Sequence, residues 1–240
     1  MGSALRAADP DLLLLQEIRG FDGAHMAEGT AFSKGIGLEH FAYGKNYVGK
    51  ESNHGNAIYS RYPLTQYENI DLSLRKYEKR GILSSSVVPP VGKQEAAEHP
   101  EAIHATETTP EGWLPRRLHI FTTHLDLGEE SRKRQFERLA ESIERIAGSH
   151  EPILLAGDFN DWRLSGHVYL RERLGLHEAF EELYGVPART FPSVKPMLRL
   201  DRMYYRGIEP ISGQVFLDGF RMLSDHLPIS VDFRLPTGPI

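Results

Sequence analysis

"PILLAGDFNDW", residues 152–162, decides the fold. Ile153, Leu154, Leu155 and Ala156, bounded by Pro152 and Gly157, read as a fully buried strand. The strand then runs straight into Asp158, Asn160 and Asp161. Alone, that polar end reads as a turn, because Asp and Asn side chains bond their own backbone there. It also fits a second reading, since α/β scaffolds present catalytic groups at strand termini and in the loops beyond them.

Upstream lies the clearest helix of the chain, "EESRKRQFERLAESIERIAG" over 129–148. Phe136, Leu139, Ile143 and Ile146 recur at three- and four-residue spacing, with a Glu-rich start and Gly148 at the end. "ALRAA" reads as the last turn of a helix broken by Pro10, and "DLLLLQE" as a buried strand with Glu17 at its edge. "YVGK", "GNAIYS", "YPLTQYENIDLS", "RGILSSSVV", "RLHIFTTHL", "MLRLDRMYYR", "SGQVFL" and "LPISVDFRL" continue a strand-and-turn rhythm. Residues 165–184 read as short helical pieces. Residues 19–45, Gly-rich and without period, read as a surface loop. Residues 89–116 are rich in Pro and Glu and read as a loop insertion. With no repeat and no domain-sized linker, one α/β domain spanning 1–240 is expected.

Composition closes several routes. There is no cysteine, which excludes disulfides, thiolate metal sites and cysteine nucleophiles while leaving oxygen-ligated metals open. Lys and Arg total 28 against 33 Asp and Glu, a formal charge of -5, which argues mildly against a dedicated nucleic-acid binder. No apolar run is long enough to span a membrane, and the opening "MGSALRAADP" is too short and polar for a signal peptide, so a cytoplasmic location is expected. No G-x-x-x-x-G-K-[ST], G-x-S-x-G or H-E-x-x-H pattern is present.

Other strand ends repeat the theme: Glu17 after "LLLLQ", His124 after "IFTT", Asp201 within "LRLDRMYY", and Asp225 and His226 in "SDH". Each alone reads more simply as a cap or a hydrogen-bonded scaffold residue. As a set they are coherent. Glu17, Asp158, Asp201 and Asp225 are hard oxygen donors suited to Mg²⁺, Mn²⁺ or Ca²⁺. Asn160 can donate to a phosphoryl oxygen, and His124 and His226 can move protons or stabilise charge.

In order, "LLLLQE", "GNAIYS", "HIFTTHLDL", "LLAGDFND", "RLDRMYY" and "LSDHLPI" resemble the endonuclease/exonuclease/phosphatase superfamily, which includes DNase I, apurinic endonucleases, neutral sphingomyelinases and inositol-polyphosphate 5-phosphatases. The likeness covers roughly residues 9–234 and is nearest in flavour to small bacterial members that read "GDFNDW". It implies a four-layer sandwich of two packed mixed β-sheets flanked by helices, and a Mg²⁺- or Mn²⁺-dependent phosphoesterase. By the same resemblance Glu17 binds the metal and Asp225 completes or supports its shell. Asp158 orients or deprotonates the attacking water, and Asn160 steadies the phosphoryl group. His226, held by Asp201, stabilises charge at phosphorus. His124 is the candidate for protonating the leaving oxygen, paired with Glu78 from "KYEKR"; Asn56 lies near the phosphate or packs between strands. Asp161 is expected to cap a turn and Trp162 to pack beneath the site. The family's first strand, with its Asn, has no counterpart here, so a truncated domain with an unpaired sheet edge is expected.

The acidic balance points to a small phosphodiester, a phosphomonoester or a lipid headgroup rather than duplex DNA. The alternatives are a non-catalytic binding module and a DNA-repair nuclease. Phosphate release abolished by EDTA, metal titration and salt-dependent DNA nicking would tell the three apart.

Overall fold

The computed structural model describes residues 2–19, 26–48, 53–74, 79–89, 117–217 and 219–235. Glu78 and nearly all of the expected insertion lie outside the described residues.

The elements in order are helix α1 (Gly2–Ala7), β1 (Leu12–Arg19), α2 (Met26–Ile36), β2 (His40–Val48), β3 (Asn53–Ser60), β4 (Thr65–Asp71), β5 (Gly81–Val87) and β6 (Leu118–His124). They continue as α3 (Glu129–Ile146), β7 (Ile153–Asp158), α4 (Ser165–Leu174), β8 (His177–Glu178), α5 (Ala179–Tyr184), β9 (Asp201–Arg206), β10 (Glu209–Val215) and β11 (Ile229–Arg234). Six strands form one sheet, ordered β4-β5-β6-β7-β9-β8, in which β6 and β7 run parallel and the other pairs antiparallel. The parallel pair needs a crossover, and α3 supplies it. A three-stranded sheet, β1-β3-β2, and the β10-β11 pair complete the strands.

Three cores separate four layers. Phe121, Leu155 and Tyr204 meet Phe136, Leu139 and Ile143 of α3 and Leu170 of α4 on the outer face of the six-stranded sheet. Ile58, Leu83, Ile120 and Leu154 fill the space between the sheets, with Leu12, Leu14, Val231 and Phe233 packed at its margin. Leu5, Ile36, Leu38, Tyr59 and Phe220 form the third core, under α1 and α2. The expected mixed α/β sandwich flanked by helices is the architecture observed.

The expected loop at 19–45 is corrected. α2 and β2 occupy most of it, and Ile36, Leu38 and Ala42 are buried. Tertiary contact outweighs a weak local pattern here, since α2 is held through Phe32 edge-on to Tyr59 of β3.

Among the described residues β1 pairs only with β3, and β11 only with β10. Between the two edges lies a cavity of about 520 Å³, lined by Leu12 and Leu14 on one side, Val231 and Phe233 on the other, and Leu154 and Met203 beneath. One end of it reaches Asp201 and His226.

Candidate active site

Register brings the site together. At the same end of the six-stranded sheet, His124 of β6 stands opposite Asp158 of β7, and Asp158 opposite Asp201 of β9. Gly157 makes the first pairing close: its φ is 155° and an added Cβ would lie 2.0 Å from the Thr123 carbonyl oxygen. Any other residue would force β6 and β7 apart. Glu17 sits at an irregularity in β1 with φ 55°, and Asn160 has φ 49°. Both residues therefore occupy left-handed backbone that side chains disfavour, a strain that concentrates at functional sites.

The contacts form a chain. His124 Nδ1 lies 3.4 Å from Glu17 Oε1, and its Nε2 lies 3.4 Å from Asp158 Oδ2. Asn160 donates its amide to the Leu125 carbonyl at 2.9 Å and to His124 Nε2 at 3.2 Å. Its backbone N–H donates to Asp158 Oδ1 at 2.9 Å. His226 Nε2 is 3.8 Å from Asp158 Oδ2, while its Nδ1 bonds Asp201 Oδ2 at 2.7 Å. Thr190 donates its hydroxyl to the same Asp201 oxygen, and the Phe191 ring lies 4.9 Å from the His226 ring.

Burial and charge set different protonation states. Burial pushes the Asp158 carboxyl up to about 6, helped by the nearby Asp201 charge. Burial opposes the charged form of His226, but the Asp201 hydrogen bond and the charges of Asp201, Asp158 and Asp225 overcome it and raise the imidazole to about 9. His124 goes the other way, to about 3, through burial and then the positive charges of Arg80 and His226. Near neutrality, therefore, His226 is the charged imidazole and His124 the neutral one. An Nε2 that accepts from Asn160 leaves the His124 proton on Nδ1, facing Glu17.

Two charged residues that the motifs did not single out belong here. Arg80 Nε lies 3.3 Å from Asp126 Oδ1, whose side chain is fully buried, and Arg80 Nη1 lies 3.9 Å from Glu17 Oε1. Only their place inside the stretches "KYEKR" and "HIFTTHLDL" marked them in sequence. A second buried pair holds the turn after β7. Asp161 accepts from the backbone N–H groups of Ser165 and Gly166, capping α4 as expected, and sits 3.5 Å from Arg202. Arg202 also donates to the carbonyls of Asp161 and Arg199.

Other expectations resolve differently. Trp162 does not pack beneath the site; it is 45% exposed, with the Arg132 guanidinium 4.8 Å from its ring centroid. Asp161 turns inward to the buried Arg202, and the next residue, Trp162, lies over the buried Arg132 with its outer face open to solvent. Asn56 is buried in β3, its amide donating to the Gly81 carbonyl at 3.0 Å, a strand-bridging contact. Asp225 is exposed, and its carbonyl accepts from Ser193 N–H at 2.7 Å.

Among the described residues no group of three or more His, Asp and Glu side chains is spaced to clasp a metal ion. The donor set nevertheless fits a hard cation bound through one or two carboxylates, water and substrate phosphate, which is how Mg²⁺ is usually held. The Glu17 carboxylate is 65% exposed and borders the His124–Asp158 pair, so it is open to such an ion.

A family model described as Endonuclease/Exonuclease/phosphatase family matches residues 2–226. The chain belongs to that family. Its members generally hydrolyse phosphoester bonds and generally depend on divalent metals. The chain is 36% identical over 241 residues to Escherichia coli (strain K12) protein YbhP, covering 97% of this chain and 86% of YbhP. Among solved structures, a Beutenbergia cavernae endonuclease/exonuclease/phosphatase superposes with a TM-score of 0.72 at 19% identity, covering 100% of this chain and 66% of that one. The Bacteroides thetaiotaomicron mannosyl-6-phosphatase Bt3783 gives 0.67 at 15% identity, covering 97% and 88%. These structural likenesses establish the fold.

Proposed function

We propose that this member of the family is a divalent-metal-dependent phosphoesterase that cleaves a phosphodiester or phosphomonoester by in-line attack of water. The observation that carries the reading is the pairing of a carboxylate raised to about 6 with an imidazolium raised to about 9, 3.8 Å apart at one end of the sheet. Two titratable groups pushed apart in this way suit a base and an acid working at neutral pH.

Asp158, ionised above about 6, takes the proton of the attacking water. His226, charged and aligned by Asp201, faces the charge that builds on the phosphoryl oxygens and gives its Nε2 proton to the leaving oxygen. That role falls to His226 and not to His124, because His124 is neutral in the same pH range. His124 instead orients Asn160, whose amide steadies the phosphoryl group by exchanging its longer bond, the one to His124, for a phosphoryl oxygen. Glu17 would hold the metal, with Asp225 in support. When bound, the ion would neutralise phosphate charge and polarise the ester.

Hydrolysis of bis-p-nitrophenyl phosphate and p-nitrophenyl phosphate with Mg²⁺ or Mn²⁺ tests the reading. Turnover lost with EDTA and in His226→Ala is expected. Absence of metal-dependent turnover on both esters rejects it in favour of a binding module.

A further inference from the structure

Four of the segments that deliver a site residue also deliver an exposed apolar side chain. Leu127 follows His124 by three positions, and Trp162 follows Asn160 by two. Met197 precedes Asp201 by four, and Leu223 precedes His226 by three. Val194 is 66% exposed, and Met222, at 92%, is the most exposed large apolar side chain among the described residues. These are not tips of unrelated loops. Ser193 N–H donates to the Asp225 carbonyl at 2.7 Å and Ser193 Oγ to the Arg221 carbonyl at 3.1 Å, which sets the segment of Val194 against that of Met222. On the other flank, Arg132 lies over Trp162 and donates to the Leu127 carbonyl. The contacts His124–Asp158, Asp158–His226 and His226–Asp201 run from one flank to the other.

Charge adds a direction. Arg189, Lys195 and Arg221 stand exposed in the segments 189–199 and 219–224, neither of which holds an acidic residue, with the exposed Asp225 bordering the second. The chain as a whole carries a net charge of -5. Apolar side chains interleaved with cations, in an otherwise acidic protein, match the boundary of an anionic bilayer, where the apolar groups enter the acyl region and the cations meet phosphate. A nucleic acid would use the cations but offers nothing to exposed Val194 and Met222. The exposed indole of Trp162 already has an arginine over its ring.

We propose that this rim docks on an anionic phospholipid bilayer and that the ester cleaved is a lipid headgroup phosphodiester. The substrate assignment rests on the phosphoesterase reading above. Water oxygen bonds phosphorus as one ester P–O bond breaks; Asp158 takes the water proton and His226 supplies one to the departing oxygen.

The test uses the whole chain, sedimented with phosphatidylcholine vesicles and with vesicles containing phosphatidylglycerol. Hydrolysis of the vesicle lipid and of soluble bis-p-nitrophenyl phosphate is followed in parallel. Sedimentation is expected with the anionic vesicles, weakened by salt. It should fall about tenfold in Met222→Glu, in Val194→Glu and in Lys195→Glu. The ratio of vesicle to soluble turnover should fall with it. Both apolar positions are open to solvent, so their substitution leaves packing intact. Equal binding to both vesicle types, or variants that bind like the parent, overturns the proposal. So does binding of DNA that depends on Lys195 and ignores Met222. Soluble turnover without vesicle turnover overturns it while the phosphoesterase reading stands; sedimentation without turnover of either substrate removes that reading and the lipid assignment together.

Discussion

The two sides of the sandwich differ in how they are closed. In the six-stranded sheet, β5 and β7 are buried along their whole length, and β6 up to its last residue. Opposite, β1 is half-buried over Leu12–Gln16 and β11 is half-buried or exposed throughout, each with one hydrogen-bonded neighbour among the described residues. The site is divided between these sides. His124, Asp158 and Asp201 are fixed by register on the closed sheet, whereas Glu17 lies on β1 and His226 enters just before β11. Preorganised charge belongs on the rigid side, where donors need not reorganise during reaction. In the reaction proposed above, Glu17 and His226 are the groups that meet the cation and the substrate.

The comparison is broken most severely at Asp158. Asp158→Asn removes the base and should lower kcat about a thousandfold. The fold should not suffer. A carboxyl whose folded pKa is raised above its ordinary value is costly to keep ionised, so at neutral pH the amide should leave the melting temperature unchanged or higher. Glu17→Gln, on the open side, should instead raise the metal concentration needed for half-maximal rate. A fall in melting temperature for Asp158→Asn, or an unchanged metal requirement for Glu17→Gln, would mean the division of labour is wrong.

Packing sharpens the same contrast. Phe121 is fully buried in the closed sheet, and Phe121→Ala should cost about 3–5 kcal/mol of unfolding free energy. Leu14, half-buried beside the cavity, already lacks contacts on one side, so Leu14→Ala should cost about 1 kcal/mol or less. Denaturant titration of the two variants decides it; equal losses would show the open side to be as tightly packed as the closed one.

The closed side was also the legible one. The apolar runs of β6 and β7 and the period of α3 announce themselves, because strands buried on both faces and an amphipathic helix leave strong local patterns. The family order of the motifs then reached His226, Asp201 and Asn160. What stayed hidden depends on partners distant in sequence. α2 gains its hold from Tyr59, and the Arg80–Asp126 pair joins residues on either side of the 89–116 segment. Trp162 was misplaced because an aromatic beside a catalytic motif looks like core, whereas the Asp161–Arg202 and Arg132–Trp162 contacts, both between residues distant in sequence, set which way the turn faces.

The smallest expected effect tests the link between the two sides. Asp201, on β9, reaches across to His226, and that hydrogen bond is the main reason the imidazole is raised to about 9. Activity should therefore rise as pH passes about 6, where Asp158 ionises, and fall as pH passes about 9, where His226 loses its proton. Because the groups interact, the two limbs belong to the pair. Asp201→Asn removes a negative charge that raises both groups. The alkaline limb should move down towards the ordinary histidine value and the acid limb down towards that of a buried carboxyl without a charged neighbour. Both limbs must shift in the same direction. A profile in which only the maximum rate falls, with both limbs in place, would show that Asp201 merely supports the loop through Thr190 and does not tune the acid.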